Sequence, residues 1–269
     1  MSDFIAALPM YDWPETRARS EEIWAAIRDA LRGQGIDAPQ RLARHNADLP
    51  AVPGGILDAE GHAIAPDPAS LPPDGLDLHT LWRHPKLLFG QTCWGPMEQG
   101  LADHVRVVGQ PDYSDVEGGR GTLYSSAILM RRTSAVEARA DGQAIIPLHL
   151  LRGARLAYNG PDSMSGIIGL TRDLGATGAT LALFSELMET GGHRASIIAV
   201  AEGRADVCAV DCRSWDMARR FEPAARTLRP VGWTALRKGL PYVSAKGISG
   251  PALAALRNGL AQAKPDSRT

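Results

Sequence analysis

Ser163 and Ser165 have the types and the spacing to do chemistry in this chain of 269 residues. They lie in Arg155-Leu-Ala-Tyr-Asn-Gly-Pro-Asp-Ser-Met-Ser-Gly-Ile-Ile-Gly-Leu170. The apolar run from Leu156 to Tyr158 predicts a strand, and Asn159, Gly160, Pro161 and Asp162 predict a turn. Ser163 to Gly166 then open a periodic segment that carries Ile167, Ile168 and Leu170. Strand, tight turn and helix N-terminus follow one another. Such an N-terminus presents unpaired N–H groups and the positive end of the helix dipole. Two hydroxyls placed there add donors around a point suited to an anion. The competing reading is an ordinary N-cap, for which Ser and Asp are both preferred.

A second stretch lies downstream: Glu189-Thr-Gly-Gly-His-Arg-Ala-Ser-Ile-Ile-Ala-Val-Ala-Glu-Gly-Arg-Ala-Asp-Val-Cys-Ala-Val-Asp211. It predicts a turn, a helix from His193 to Glu202 and a buried strand from Ala205 to Val210. His193 falls in the first turn of its helix. Asp211 falls at the carboxyl end of its strand, where it can also cap the next helix, Ser214 to Phe221.

Together the two stretches resemble the periplasmic binding proteins of phosphate and phosphonate ABC transporters. In that family a Ser-x-Ser-Gly turn opens a helix, and a pattern His-x-Ala-Ser-x-x-Ala-Val-x-x-Gly-x-x-Asp-x-x-x-Val-Asp follows. Here these are Ser163, Ser165 and Gly166, then His193, Ala195, Ser196, Ala199, Val200, Gly203, Asp206, Val210 and Asp211. A weaker likeness at Ala7 to Tyr11, Leu88 to Gln91 and Gly239 to Val243 extends it over nearly the whole chain.

The resemblance implies an α/β, two-lobed type II periplasmic-binding-protein-like fold with an interlobe ligand cleft and two hinge crossings. The crossings are expected near residues 110–122 and 236–243. Lobe I would hold residues 1–120 and 240–269, and lobe II residues 121–239. The implied ligand is a small anion: phosphate, phosphonate or a related oxyanion metabolite. Ser163, Met164, Ser165 and Gly166 would hold it through backbone amides and hydroxyls. Tyr11, Trp13, Gln91 and Thr92 would close over it from the other lobe. His193 and Asp211 would complete the pocket, Asp211 accepting from a protonated ligand oxygen or another donor. This role needs no catalytic residue, metal or cofactor, and its protein partners would be ABC-transporter membrane subunits. Aminophosphonate binders tend to carry an acidic residue just after the histidine position; here that residue is Arg194, so an acidic contact to a ligand ammonium is missing there.

Two other classes compete. An enzyme on the same fold, as in some thiamin-precursor synthases, needs a metal or a nucleophile–base pair. His45, His62, His79, His84, His104, His149 and His193 are scattered with no recognised ligand spacing. Cys93 would act as a nucleophile only beside a base, and no pattern supplies one. A cytoplasmic ligand sensor would keep the cleft and use closure to signal.

Composition bounds the rest. A net charge of −1 argues against non-specific nucleic-acid binding, which needs a basic face. Cys93, Cys208 and Cys212 form no Cys-x-x-Cys pair and read as buried free thiols. The Met1-Ser-Asp start has neither basic n-region nor apolar h-region, and later apolar runs are too short to span a membrane. These features predict a cytoplasmic chain as encoded, or a periplasmic one if a leader was trimmed.

The elements that must position these residues are read in order. Phe4 to Leu8 is a strand and Glu15 to Leu31 an amphipathic helix, with Tyr11 and Trp13 in the loop between them. Trp13 is either a binding group or a hydrophobic staple on that helix. Residues 46–75 are an irregular insertion with a hairpin around Asp58 to Gly61. Leu76 to Arg83 is a short helix and Leu87 to Phe89 a strand, followed by a loop from Gly90 to Trp94. Val105 to Gly109 and Leu123 to Met130 are strands, the latter preceded by a flexible glycine-rich turn. Gly178 to Leu187 is a helix burying Leu181, Phe184 and Leu187. Leu228 to Trp233 is an edge strand because of Pro230, Leu240 to Ser244 another strand, and Pro251 to Ala263 a helix before a polar tail from Lys264.

Overall fold

The apolar stripes of two helices set the core of the first unit. The computed structural model describes residues 3–132 and 137–263, so the expected tail from Lys264 lies outside the described residues. The strands of the two main sheets are, in chain order, β1 (Ile5–Ala7), β2 (Leu87–Gln91), β3 (Val105–Gly109), β4 (Ser126–Arg131), β5 (Arg155–Tyr158), β6 (Glu186–Glu189), β7 (Val207–Asp211), β8 (Leu228–Trp233) and β9 (Tyr242–Ala245). The longer helices are α1 (Arg17–Arg32), α2 (Gly169–Ala176), α3 (His193–Ala201), α4 (Cys212–Phe221) and α5 (Gly250–Ala263). By its internal contacts the chain divides into two units, residues up to Pro111 with those from Leu240, and Asp112–Gly239.

The first unit has a sheet ordered β1-β2-β9-β3, with β1 and β2 parallel and β9 antiparallel to both its neighbours. α1 buries Trp24, Ile27 and Leu31, and α5 buries Leu253, Leu256 and Leu260 in the same core. A Cβ on Gly259 would meet Ala30 Cβ at 3.3 Å, so the missing side chain lets α5 lie close on α1. Phe89 of β2 stacks between Trp24 and Tyr242, with ring centroids 5.9 and 5.3 Å away. The insertion contains the expected hairpin, Ile56–Leu57 against Ala63–Ala65.

The second unit has a sheet ordered β6-β5-β7-β4-β8. β6 and β7 run parallel to β5, whereas β4 is antiparallel to β7 and β8. Its core joins Ile128 and Met130 of β4, Leu156 of β5 and Val207 and Ala209 of β7 to Leu170 and Leu174 of α2. β8, with Pro230, is an edge strand as its sequence predicts.

Three expectations are corrected. The helix from Gly178 to Leu187 is a single 3-10 turn, Leu181–Leu183, followed by edge strand β6. Spacing by threes does not separate a helix from a 3-10 turn that runs into a strand. Pairing with β5 and the bond from Ser185 N to Ala154 O decide for the extended form, leaving Leu187 44% exposed. The strand from Leu123 to Met130 is broken at Ser125, whose N–H turns away to Gly118 O. Leu123–Tyr124 pairs instead with Gly119–Arg120 and Arg237–Lys238, so the glycine-rich segment is itself half of a hairpin. Residues 112–120, expected in lobe I, belong to the second unit. Tyr113 is fully buried beside Tyr124, its N–H donates to Gly121 O, and Arg213 lies over its ring at 5.3 Å.

Candidate functional site: a helix N-terminus backed by a buried His–Asp pair

Parallel strands bring their carboxyl ends to one edge of a sheet, where side chains from successive loops can meet. In the second unit that edge receives the turn after β5, the turn after β6 and the last residue of β7. The turns are tied to each other: Thr190 N–H donates to Tyr158 O at 2.9 Å and Gly191 N–H to Asn159 O at 2.8 Å. The Thr190 hydroxyl also bonds Ser196 Oγ at 2.7 Å, which fixes the start of α3.

Ser163 is the N-cap. Its Oγ accepts from Gly166 N–H at 3.0 Å, and its carbonyl accepts from both Ile167 and Ile168 N–H, at 3.1 and 3.0 Å. The second of these bonds spans five residues and makes Met164–Ile168 a π-helical turn that runs into α2. Two glycines permit it. A Cβ on Gly166 would stand 2.8 Å from Ser163 Oγ and 3.1 Å from Asn159 Oδ1, and one on Gly169 would stand 2.9 Å from Met164 O. Of the two alternatives in the sequence, the cap is formed, and it holds the first-turn amides in place.

Ser165 Oγ lies 2.8 Å from His193 Nε2, and the same nitrogen lies 3.2 Å from Asp211 Oδ2. Asp211 is 1% exposed and caps α4: Oδ1 accepts from the N–H groups of Arg213 and Ser214, and Oδ2 accepts from the Ser214 hydroxyl. Burial pushes this carboxyl up, but the bonds and charge of His193 and the bonds of Ser214 outweigh it and hold Asp211 below the usual carboxylate range. Both its oxygens are engaged within the fold. Asp211, expected to accept directly from a ligand, lies in the structure as the N-cap of α4 and the neighbour of His193 Nε2.

Ser165, His193 and Asp211 are the residue types of a hydrolytic triad, but a triad places serine and aspartate on opposite ring nitrogens. Here both face Nε2, while Nδ1 is buried with no hydrogen-bond partner. The arrangement differs from a triad in placing both partners on one ring nitrogen. Burial, with Asp211 beside it, pushes the Cys212 thiol well up, and burial does the same to Cys208. Both are free buried thiols, while Cys93 is half-buried. Among the described residues no group of three His, Cys, Asp or Glu side chains is arranged to hold a metal ion.

Three arginines near this edge are paired with carboxylates within the fold. Arg194, left open by the sequence, donates to Glu222 Oε2 at 2.8 Å. Arg213 pairs with Asp115 at 2.7 Å and Arg237 with Asp173 at 2.6 Å. An anion here would meet neutral dipoles and His193, with no arginine free of a carboxylate among these three.

In the first unit, Ala7 of β1 is paired with Gly90 of β2, so Tyr11 and Trp13 after β1 share a sheet edge with Gln91 and Thr92. Gln91, expected in a loop, is the buried last residue of β2, and Trp94–Glu98 is a short helix. Trp82 Nε1–H on Gln91 O and Thr92 N–H on Pro241 O extend order past the predicted strand end. Trp13 is buried, Tyr11 is half-buried, and Thr92 is fully buried with Oγ1 lacking a partner.

Three polar side chains near this edge were not among the candidates read from the sequence. Asn159 was legible only as a turn former, yet its Oδ1 is buried without a partner beside Gly166. Ser214 could have been found as the fourth residue of Asp-Cys-Arg-Ser, a side-chain capping spacing. Ser125, buried with an unpartnered Oγ, has no local sequence signal because the strand break at which it sits is tertiary.

The sequence model of the ABC transporter, phosphonate, periplasmic substrate-binding protein family matches residues 102–269. The chain belongs to this family. Members of this phosphonate-binding family are periplasmic substrate-binding components of ABC transporters, whose partners are a ligand and the transporter's membrane subunits. Among the described residues no helix is long and apolar enough to cross a membrane.

Solved structures agree in fold. PhnD1 from Prochlorococcus marinus (MIT 9301), in complex with methylphosphonate, is 13% identical with a TM-score of 0.61, covering 97% of this chain and 83% of its own. XAC2383 from Xanthomonas citri, bound to chloride, is 17% identical with a TM-score of 0.60, covering 97% and 84%. A binding protein component of an ABC phosphonate transporter from Pseudomonas aeruginosa is 15% identical with a TM-score of 0.59, covering 95% and 72%. The two-lobed, mixed α/β fold of these binding proteins is that of the phosphonate-binding family. No curated protein matches the sequence.

Proposed function

We propose that this family member reversibly captures a phosphonate, phosphate or related small oxyanion at the Ser163–Gly166 turn, for delivery to ABC-transporter membrane subunits. One observation carries the reading: a serine-capped helix N-terminus whose second hydroxyl is held by a buried His193–Asp211 pair. The proposed donors to an oxyanion are the hydroxyls of Ser163 and Ser165 and the main-chain amides at the start of the turn. Met164, whose side chain is buried, would offer only its main chain. Asp211 acts as a positioning residue through His193. For the first unit we propose that Tyr11, Trp13, Gln91 and Thr92 contribute the remaining contacts, supported by their common sheet edge. The methylphosphonate complex of PhnD1 supports the ligand class.

Isothermal titration with methylphosphonate and with orthophosphate tests this. Replacing both serines, Ser163→Ala with Ser165→Ala, removes two hydroxyl bonds to a charged group, each worth about 1.5–3 kcal/mol. Affinity is expected to fall at least about 100-fold. Unchanged affinity in that variant would move the site away from this turn.

A further inference from the structure

A cationic feature lies elsewhere in the second unit. A cavity of ≈ 380 Å³ is lined by Arg132, Arg219, Arg226 and Arg229, with Glu137 as its acidic group and Trp215 as a wall. Leu228 and Pro230 complete an apolar floor. The arginines come from different elements: Arg219 from the last turn of α4, Arg226 from the 3-10 turn Pro223–Thr227, Arg229 from β8, and Arg132 just after β4. Among the described residues none of the four is paired with a carboxylate, in contrast to Arg194, Arg213 and Arg237. Arg229 Nε is buried and has no hydrogen-bond partner.

A helix C-terminus favours a cation, which accounts for Arg219 alone. It does not account for three more guanidiniums from other elements. Like charges gathered around one cavity repel one another unless an anion sits among them. The volume falls in the range of small-ligand pockets, about 300–1,000 Å³. Guanidinium forks match oxyanions in plane and in spacing.

We propose that this cavity is a binding site for a small ligand carrying two or more adjacent oxyanion groups, inorganic pyrophosphate being the simplest. It uses none of the residues of the Ser163 turn, and its chemistry differs: several full positive charges for several negative ones, where the turn offers neutral donors to one oxyanion group.

The test titrates pyrophosphate into the full chain carrying Ser163→Ala and Ser165→Ala, so that the helix-turn site contributes little. Binding is expected to persist there, to weaken at least about tenfold when exposed Arg219 and Arg226 are also changed to Ala, and to exceed that of orthophosphate. Circular dichroism checks that each variant is folded, and Arg226→Glu, a single exposed change, gives an independent loss. Absence of pyrophosphate binding, equal binding by the arginine variants, or equal affinity for orthophosphate would each overturn the proposal.

Discussion

At the scale of single residues, the fate of Asp211 decides how the site is understood. A carboxylate bonded by Ser214 and two amides and set 3.2 Å from His193 Nε2 contributes to stability and to the orientation of His193. Asp211→Asn should retain the cap but exchange charge-assisted bonds for neutral ones, at a cost of about 2 kcal/mol near neutral pH. The pH dependence has a definite sign. The folded-state carboxyl lies below its unfolded value of about 4, so its stabilisation is present above that pH and is lost as pH falls through the folded pKa. Urea midpoints of the two proteins should therefore differ at pH 7 and converge in acid; a gap that widens in acid would refute this account. The types and order of Ser163, Ser165, His193 and Asp211 were readable in the sequence. The approach of His193 to Asp211 was not, because the two arrive on separate elements, whereas the Ser214 contacts lie within the local Asp-Cys-Arg-Ser cap.

At the scale of elements, the π-helical turn is the least legible feature and the one most dependent on glycine. Nothing in Ser-Met-Ser-Gly-Ile-Ile-Gly announces that Ser163 O will accept two amides. The space around Gly166 and Gly169 shows why the sequence permits it. Gly166→Ala puts a methyl group against the oxygen that caps the helix. It should destabilise the protein by about 1–3 kcal/mol and weaken methylphosphonate binding, measured by thermal unfolding and titration of the same preparation. Unaltered stability and affinity would mean that the turn relaxes freely. Most longer elements were legible from apolar period and turn chemistry, within a residue or two at their ends. β6 was not, since it is an edge strand with little buried surface and its pairing with β5 is a long-range fact.

At the scale of the whole molecule, the first unit is built from two separated chain segments that share one core, and the second from the segment between them. Hydrogen exchange can read this division. Leu256→Ala in α5 and Leu156→Ala in β5 each empty a fully buried position, at about 2–5 kcal/mol. The first change should lower protection in 240–263 together with the N-terminal segment up to Pro111. The second should lower it within 112–239, residues 112–120 included. Loss of protection in 112–120 with the first change would return that segment to the first unit. The general two-lobe plan was legible through family motifs. The crossing was not placed to the residue, because the glycine-rich run reads as a hinge until Tyr113 is seen buried beside Tyr124.

The paired arginines have one further consequence. Arg194, Arg213 and Arg237 each spend their charge on a carboxylate, which leaves the Ser163 turn to work by dipoles at contact distance. Dissolved salt screens charges over about 10 Å at 0.1 M and acts weakly on bonds made at contact. With these three counter-charges settled inside the fold, the grip proposed for the Ser163 turn should change little between dilute and saline water.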